Sequence, residues 1–373
     1  LFPFATNPLA RRTAAGFSLV EIMVGMVIGM LGLIIMMQVF SLSESQKRAT
    51  TGGGDAQSSG AIALFGLQRD VRQAGFGTSD PKLVGCSVTL RTGVTVTSFA
   101  PVTINHAAIT GQDANTDTLL VTYGGSNGSP QGDTITTQPA SAGTAVSPDI
   151  YAMATPTSFT AGDQVIATPQ IRATPCNLSV AGVASIGTGN AANVIVTAGS
   201  GVTNMTNGTL FNLGPQSNVK VLAYAIRGGN LTLCDYMANN CGDAANNNNA
   251  AIWVPIANNV VSLKALYGHD TNTPMDGIAD EFNSTSPTTA CGWVKVFGLR
   301  LALVARNATF EKTAVTTAAA LAWDGDTASN AAAVAANDID LSADANWQNY
   351  RYRVLQTVVP LRNLVWQGVQ TGC

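Results

Sequence analysis

The residues best equipped for chemistry are few: six cysteines, two histidines, one acidic turn and a lone carboxylate inside a long apolar run. The cysteines stand at 86, 176, 234, 241, 291 and 373 with no C-x-x-C pair, and the histidines are His106 and His269. A structural zinc needs Cys or His ligands at short spacing, which this distribution does not provide. An even number of cysteines in an exported chain instead predicts disulfides. Cys234 and Cys241 can close a short loop around DYMANN. The pairing of Cys86, Cys176, Cys291 and Cys373 stays open, with some buried free thiols as the alternative. No G-x-x-x-x-G-K-[ST] phosphate loop occurs, since GTGN at 187–190 lacks the lysine. His269 beside Asp270 reads as a turn residue rather than a catalytic base. The chain is expected to be non-catalytic and to hold no cofactor.

The acidic turn is DTNTPMDGIAD, residues 270–280. Asp270, Asn272, Asp276 and Asp280 offer oxygen ligands of the kind calcium takes. An EF-hand loop needs donors at its first, third and fifth positions and glycine at the sixth. Counted from Asp270, the last two are Pro274 and Met275. Asp and Asn also dominate turns by bonding their own backbone. A turn is therefore expected, with calcium at these four residues as the alternative.

Composition bounds the class. Charged residues make up 11% of the 373, with a net charge of −3, while hydrophobic residues reach 46%. The charge balance argues against a general nucleic-acid binder, and the apolar content argues against disorder. The chain reads as a β-rich, neutral-surfaced exported protein.

The lone carboxylate is Glu21, in RRTAAGFSLVEIMVGMVIGMLGLIIMMQVF. Residues 17–40 as a helix span about 36 Å, enough for a bilayer core. No proline intervenes between Pro8 and Pro81. A secretory signal would place its small-residue cleavage site after the apolar run. Here the basic pair Arg11-Arg12 and the small residues precede it, so cleavage is expected on the cytoplasmic side with the helix retained. Lys47 and Arg48 beyond the run weaken the charge asymmetry.

GFSLVEIMVGM resembles the signal of type IV prepilins: glycine, then phenylalanine, with glutamate fifth in the mature chain. The resemblance implies cleavage between Gly16 and Phe17 by an inner-membrane prepilin peptidase, and N-methylation of Phe17. A charge in a membrane helix costs about 2.5–3.5 kcal/mol on insertion scales. It also implies a partner for Glu21: the N-terminal ammonium of a neighbouring subunit. The bland alternative leaves Glu21 at the lipid headgroups. Gly25, Gly29 and Gly32 permit close helix approach, a weak signal.

Beyond the run, Gly52, Gly53 and Gly54 each cost about 1 kcal/mol in a helix relative to alanine. The spacing of Leu64, Leu67, Val71 and Ala74 predicts a second helix over 55–74, with Asp55 as N-cap and Gly75 and Gly77 as the stop. LFGLQRDVRQAGFG narrows the resemblance to PilW-type minor pilins. So do VVSLKALYGHDTNTPMDGIADEF, GWVKVFGLRLALVARN and YRYRVLQTVVPLRNL. It covers roughly 11–78 and 250–366. In the middle, 117–123, 163–168 and 193–198 alternate as strands, and Gly228-Gly229 predicts a hairpin turn. Residues 244–251 and 331–336 read as exposed loops.

The expected fold is α+β and pilin-like. A long N-terminal helix, broken near 52–54, packs on an antiparallel β-sheet domain enlarged by loop insertions. The expected divisions are a leader (1–16), a transmembrane or filament-core helix (17–40), its amphipathic continuation with a glycine joint (41–77) and a periplasmic or extracellular β-rich domain (78–373). The resemblance implies a minor pilin that joins other minor pilins and the major pilin in a tip complex priming type IV pilus assembly. Twitching motility and adhesion would follow. The chain would sit beneath a PilY-type adhesin, reaching the tip from the inner membrane, with no nucleic-acid partner. The alternatives are a type II secretion minor pseudopilin, or a tip-exposed module binding a surface or DNA.

Overall fold

The computed structural model describes residues 16–125, 128–138, 150–197, 205–327 and 338–365. The chain divides into two compact units, Leu1–Thr51 and Gly52–Cys373. One helix, α1, runs over Leu19–Gln73. Its first part is apolar on every side, with Leu19, Ile28, Ile35 and Phe40 all exposed in the isolated chain. A helix hydrophobic all round belongs in lipid or among other helices. Among the described residues α1 is the one helix long and apolar enough to cross a membrane.

The expected break at Gly52–Gly54 is corrected by the structure, as is the N-cap at Asp55: all four residues lie inside α1. Tertiary contacts explain why small residues are tolerated. A Cβ on Gly52 would meet the Asn307 side chain at 3.2 Å. One on Gly60 would meet Leu355 Cδ1 at 2.5 Å and Ala305 Cβ at 3.0 Å. The helix comes closest to the strands behind it where it lacks side chains, which offsets the propensity cost of glycine.

Within the second unit α1 buries Ala63, Leu64, Leu67 and Val71, and Ala74 just beyond it, in one core with residues from two sheets. One sheet orders the strands Val254–Asn258, Asn230–Asp235, Lys220–Arg227, Leu119–Tyr123 and Val102–Ile104. The other orders Glu281–Asn283, Val260–His269, Val296–Arg306 and Tyr352–Pro360. All pairings in both are antiparallel. The hairpin turn falls at Gly228 and Gly229, where φ of +56° and +71° suits glycine.

The middle of the chain departs from the expected loop insertions. Asn177–Ile186, Asp163–Thr168, Thr209–Pro215, Asp133–Thr137, Ile150–Met153 and Asn193–Val196 pair in that order, and the last pairs back to the first. The result is a closed six-stranded barrel with its own apolar filling, including Ile135, Tyr151, Phe159, Val165 and Leu210. Closure removes exposed edges, so these short strands leave no unpaired row of backbone groups between them. Cys86–Arg91 joins the barrel through a parallel pairing with Asn177–Ile186, the exception to an antiparallel pattern.

Candidate functional site

At the N-terminus Gly16, Phe17 and Ser18 precede the helix, and Phe17 is 82% exposed. Arg11 and Arg12 lie outside the described residues. Glu21 sits in the first turn of α1. Its Oε2 accepts the Ser18 backbone N–H at 3.1 Å, and the Glu21 N–H donates to Ser18 Oγ at 3.4 Å. This reciprocal pair is a capping box, satisfying two donors that the helix start leaves open. A carboxylate there also complements the positive end of the helix dipole. The S-x-x-E spacing from Ser18 to Glu21 is the sequence signal that could have revealed it.

The other end of α1 is held by residues far apart in sequence. The Asp70 carboxylate is buried, accepts the Tyr224 hydroxyl and lies 3.2 Å from the Arg69 guanidinium. Burial, and then the Asp70 charge, hold the Tyr224 hydroxyl well above its ordinary pKa. The Asn363 amide donates to the carbonyls of Gln73 and Ala74, at 3.0 and 2.9 Å, and reaches that of Arg72 at 3.5 Å. A helix C-terminus leaves such carbonyls unpaired, and here a residue about 290 positions away closes them. Gly75 follows at φ +83°, donating its N–H to Thr122. Thus QRDVRQAGFG and PLRN, which look unrelated in sequence, form one joint. Asn307 of LVARN faces Gly52, and its side chain accepts the Arg351 N–H at 2.8 Å.

The acidic turn is organised by its own backbone. Asp270 is buried, its carboxylate accepting the N–H groups of Asn272, Asp276 and Gly277 at 3.0, 2.9 and 2.8 Å. Asp280 accepts the Thr271 N–H, and the Asn272 amide donates to Asp276 at 3.2 Å and Asp280 at 3.4 Å. Asp270 is thus committed to the backbone of the turn, and the Asn272 amide bridges Asp276 and Asp280. His269 ends its strand opposite Glu281, with its pKa lowered by burial.

Cys234–Cys241 and Cys86–Cys176 are disulfides, with sequence separations of 7 and 90. Cys291 is also disulfide-bonded, and Cys373 lies outside the described residues. The Asn tract at 244–251 is an exposed loop, half-buried only at Asn246 and Asn247: Asp243 caps a short turn at Ala244–Asn246, and the Arg227 guanidinium donates to the Asn247 carbonyl at 3.2 Å. Residues 331–336 lie outside the described residues. The pentapeptide GGSNG at 124–128 fits the G-x-S-x-G pattern of a nucleophile elbow. Its Ser126 and Asn127 lie outside the described residues, and the element after it is the strand Asp133–Thr137, whereas an elbow requires a helix next.

An apolar helix that begins at a Gly-Phe-x-x-x-Glu motif and ends against a mainly β domain defines a pilin-like protein. Residues 11–37 match the prokaryotic N-terminal methylation motif. Residues 227–363 match the family model described as type IV pilus-assembly protein W. The chain is a pilin-like protein related to type IV pilus-assembly protein W. Neither match covers 38–226, which holds LFGLQRDVRQAGFG and the barrel. No curated protein and no solved structure matches the chain.

Proposed function

We propose that this pilin-like protein is a minor pilin that joins other minor pilins and the major pilin in a tip complex priming type IV pilus assembly. The observation that carries the reading is the co-occurrence, in one chain, of the methylation motif, a bilayer-length apolar helix and the 227–363 match. Prepilin peptidase would cut between Gly16 and Phe17 and methylate Phe17, leaving a non-catalytic subunit anchored in the inner membrane until assembly. There Glu21 would pair with a neighbour's N-terminal ammonium. An ammonium left alone in an apolar core is costly, so the pair would set the axial stagger between helices. A PilY-type adhesin above the complex would account for adhesion, and filament retraction for twitching.

The test separates the charge of Glu21 from its capping role. Glu21→Gln keeps a capping-box acceptor but loses the charge, whereas Glu21→Ala loses both. Both variants should accumulate in the membrane and be processed, yet recover fewer partner pilins than wild type at matched levels. Recovery by Glu21→Gln equal to wild type would show that capping alone matters. An intact leader by mass spectrometry, in cells with active peptidase, would refute processing at Gly16. A deletion strain that secretes normally but lacks twitching supports the pilus over a secretion system.

A further inference from the structure

Beside the hairpin turn at Gly228 lies a cavity of about 200 Å³, lined among others by Arg227, Thr232, Asn247, Asn248, Ala250 and Trp253. The Arg227 guanidinium lies over the Trp253 ring, 3.9 Å from its centroid, and the two residues are 9% and 2% exposed. The carbonyls of Thr110, Gly111 and Asn247 accept three of the five guanidinium N–H groups. Gly111 permits that grip, since a Cβ there would stand 2.7 Å from Arg227 Nη1. Left over are Nε–H and one N–H on the neighbouring Nη2, a fork that a carboxylate meets with both oxygens. Arg227 Nε, Trp253 Nε1 and Asn247 Oδ1 are buried without a hydrogen-bond partner. Arg227 enters none of the ion pairs among the described residues. The nearby Asp113 carboxylate is engaged by the N–H groups of Gly228 and Gly229, at 2.9 and 2.7 Å. We infer that this cavity binds a uronic acid unit, which carries a carboxylate and hydroxyls on one sugar ring.

The unpartnered groups choose the ligand. A buried guanidinium without a counter-charge calls for an anion, which a water molecule does not supply. Arg227 Nε and Trp253 Nε1 are donors and ask for acceptor oxygens, whereas Asn247 Oδ1 asks for a donor. An acidic protein side chain would answer the fork and leave Asn247 Oδ1 open. A uronic acid answers both, with its carboxylate at Arg227 and a ring hydroxyl at Asn247. The exposed Asn248 and Asn249 form the rim, where amide groups suit further hydroxyls and a longer polysaccharide can run out into solvent. Size agrees. Pockets that bury a drug-sized ligand hold roughly 300–1,000 Å³, so this smaller cavity admits a single ring. Binding of a free sugar needs no partner subunit, so the site stands whether or not the pilin reading does.

The experiment titrates D-galacturonate against the full chain in a sugar-free detergent, read by saturation-transfer NMR, with D-galactose and acetate as controls. Galacturonate should bind roughly tenfold or more tightly than either control, the scale of one charge-assisted hydrogen bond. Ala250→Trp, at an exposed rim position, should fill the cavity mouth and abolish the signal while leaving thermal unfolding unchanged. Asn248→Asp should weaken galacturonate by up to about fivefold, on the scale of one exposed charge contact. Arg227→Lys keeps the charge but not the fork, and should lose roughly tenfold in affinity. Should that variant fail to fold, Ala250→Trp carries the test alone. Galactose or acetate binding as tightly as galacturonate would overturn the assignment. So would tighter binding of an N-acetylated glutamyl peptide, a titration that Ala250→Trp leaves unchanged, or no binding of galacturonate by the wild-type chain.

Discussion

Asp70 shows how one side chain can be worth more than its neighbours suggest. It is buried in the face of α1 that packs on strand Lys220–Arg227, and its carboxylate accepts the Tyr224 hydroxyl. In Asp70→Ala the hydroxyl of Tyr224, itself 1% exposed, loses that acceptor. Leaving a buried polar group unpaired costs about 1–3 kcal/mol. The urea midpoint of the full chain should fall accordingly, and Asp70→Asn, which keeps an acceptor, should fall less. Equal losses in the two variants would mean that charge with Arg69, rather than the hydrogen bond to Tyr224, is what α1 uses. Sequence reading had no access to this pair, because a polar residue at one position of an amphipathic helix looks like any solvated side chain.

Among elements, α1 carries its glycines for different reasons, and the difference is measurable. Gly60 approaches Leu355 and Ala305, whereas a Cβ on Gly54 would meet nothing within 4 Å. Gly60→Val should therefore destabilise by about 1–3 kcal/mol through overpacking. Gly54→Ala should stabilise by up to about 1 kcal/mol through helix propensity alone. Denaturant unfolding of both variants checks the signs. A destabilised Gly54→Ala would indicate that a bend at the glycine run is used. The propensity sum at Gly52–Gly54 correctly priced the local cost, yet the helix persists because packing on distant strands outweighs it.

For the molecule as a whole, the two mapped disulfides constrain the unfolded chain unequally. Loop-closure entropy grows with loop length, so losing the Cys86–Cys176 bridge, with a separation of 90, should cost about 4–5 kcal/mol. Losing Cys234–Cys241, with a separation of 7, should cost about 2–3 kcal/mol. Paired Cys→Ser variants compared by thermal unfolding give the order. Acid sensitivity has a separate origin in His106. Its Nε2–H donates to the Thr97 carbonyl at 2.6 Å and its Nδ1 accepts the Ala108 N–H at 3.2 Å. A second ring proton would face a donor, and burial lowers the pKa. The folded pKa lies below the unfolded one, so this contribution is complete above the ordinary histidine value of about 6.5 and is lost as pH falls through the lowered folded value. Unfolding free energy should drop across that acidic window, and His106→Asn should flatten the drop. An unchanged slope would assign acid sensitivity elsewhere.

The run from Phe17 to Phe40, the Gly-Phe-x-x-x-Glu motif and the amphipathic spacing of Leu64, Leu67 and Val71 were legible because each is local. Apolar length, a methylation motif and a 3.6-residue period need no distant partner to be read. The strand 163–168 and the turn at Gly228-Gly229 were legible for the same reason, through alternation and turn chemistry. Tertiary structure alone decided whether α1 would survive its glycines, since Asn307 and Leu355 lie some 250–300 residues away. It alone closed the barrel, because Asp133–Thr137 must pair with Thr209–Pro215 and Ile150–Met153 with Asn193–Val196, strands far apart in the chain whose alternation does not name their partners. It alone brought Asn363 to the end of α1, where open carbonyls call for a donor but do not specify which residue supplies it.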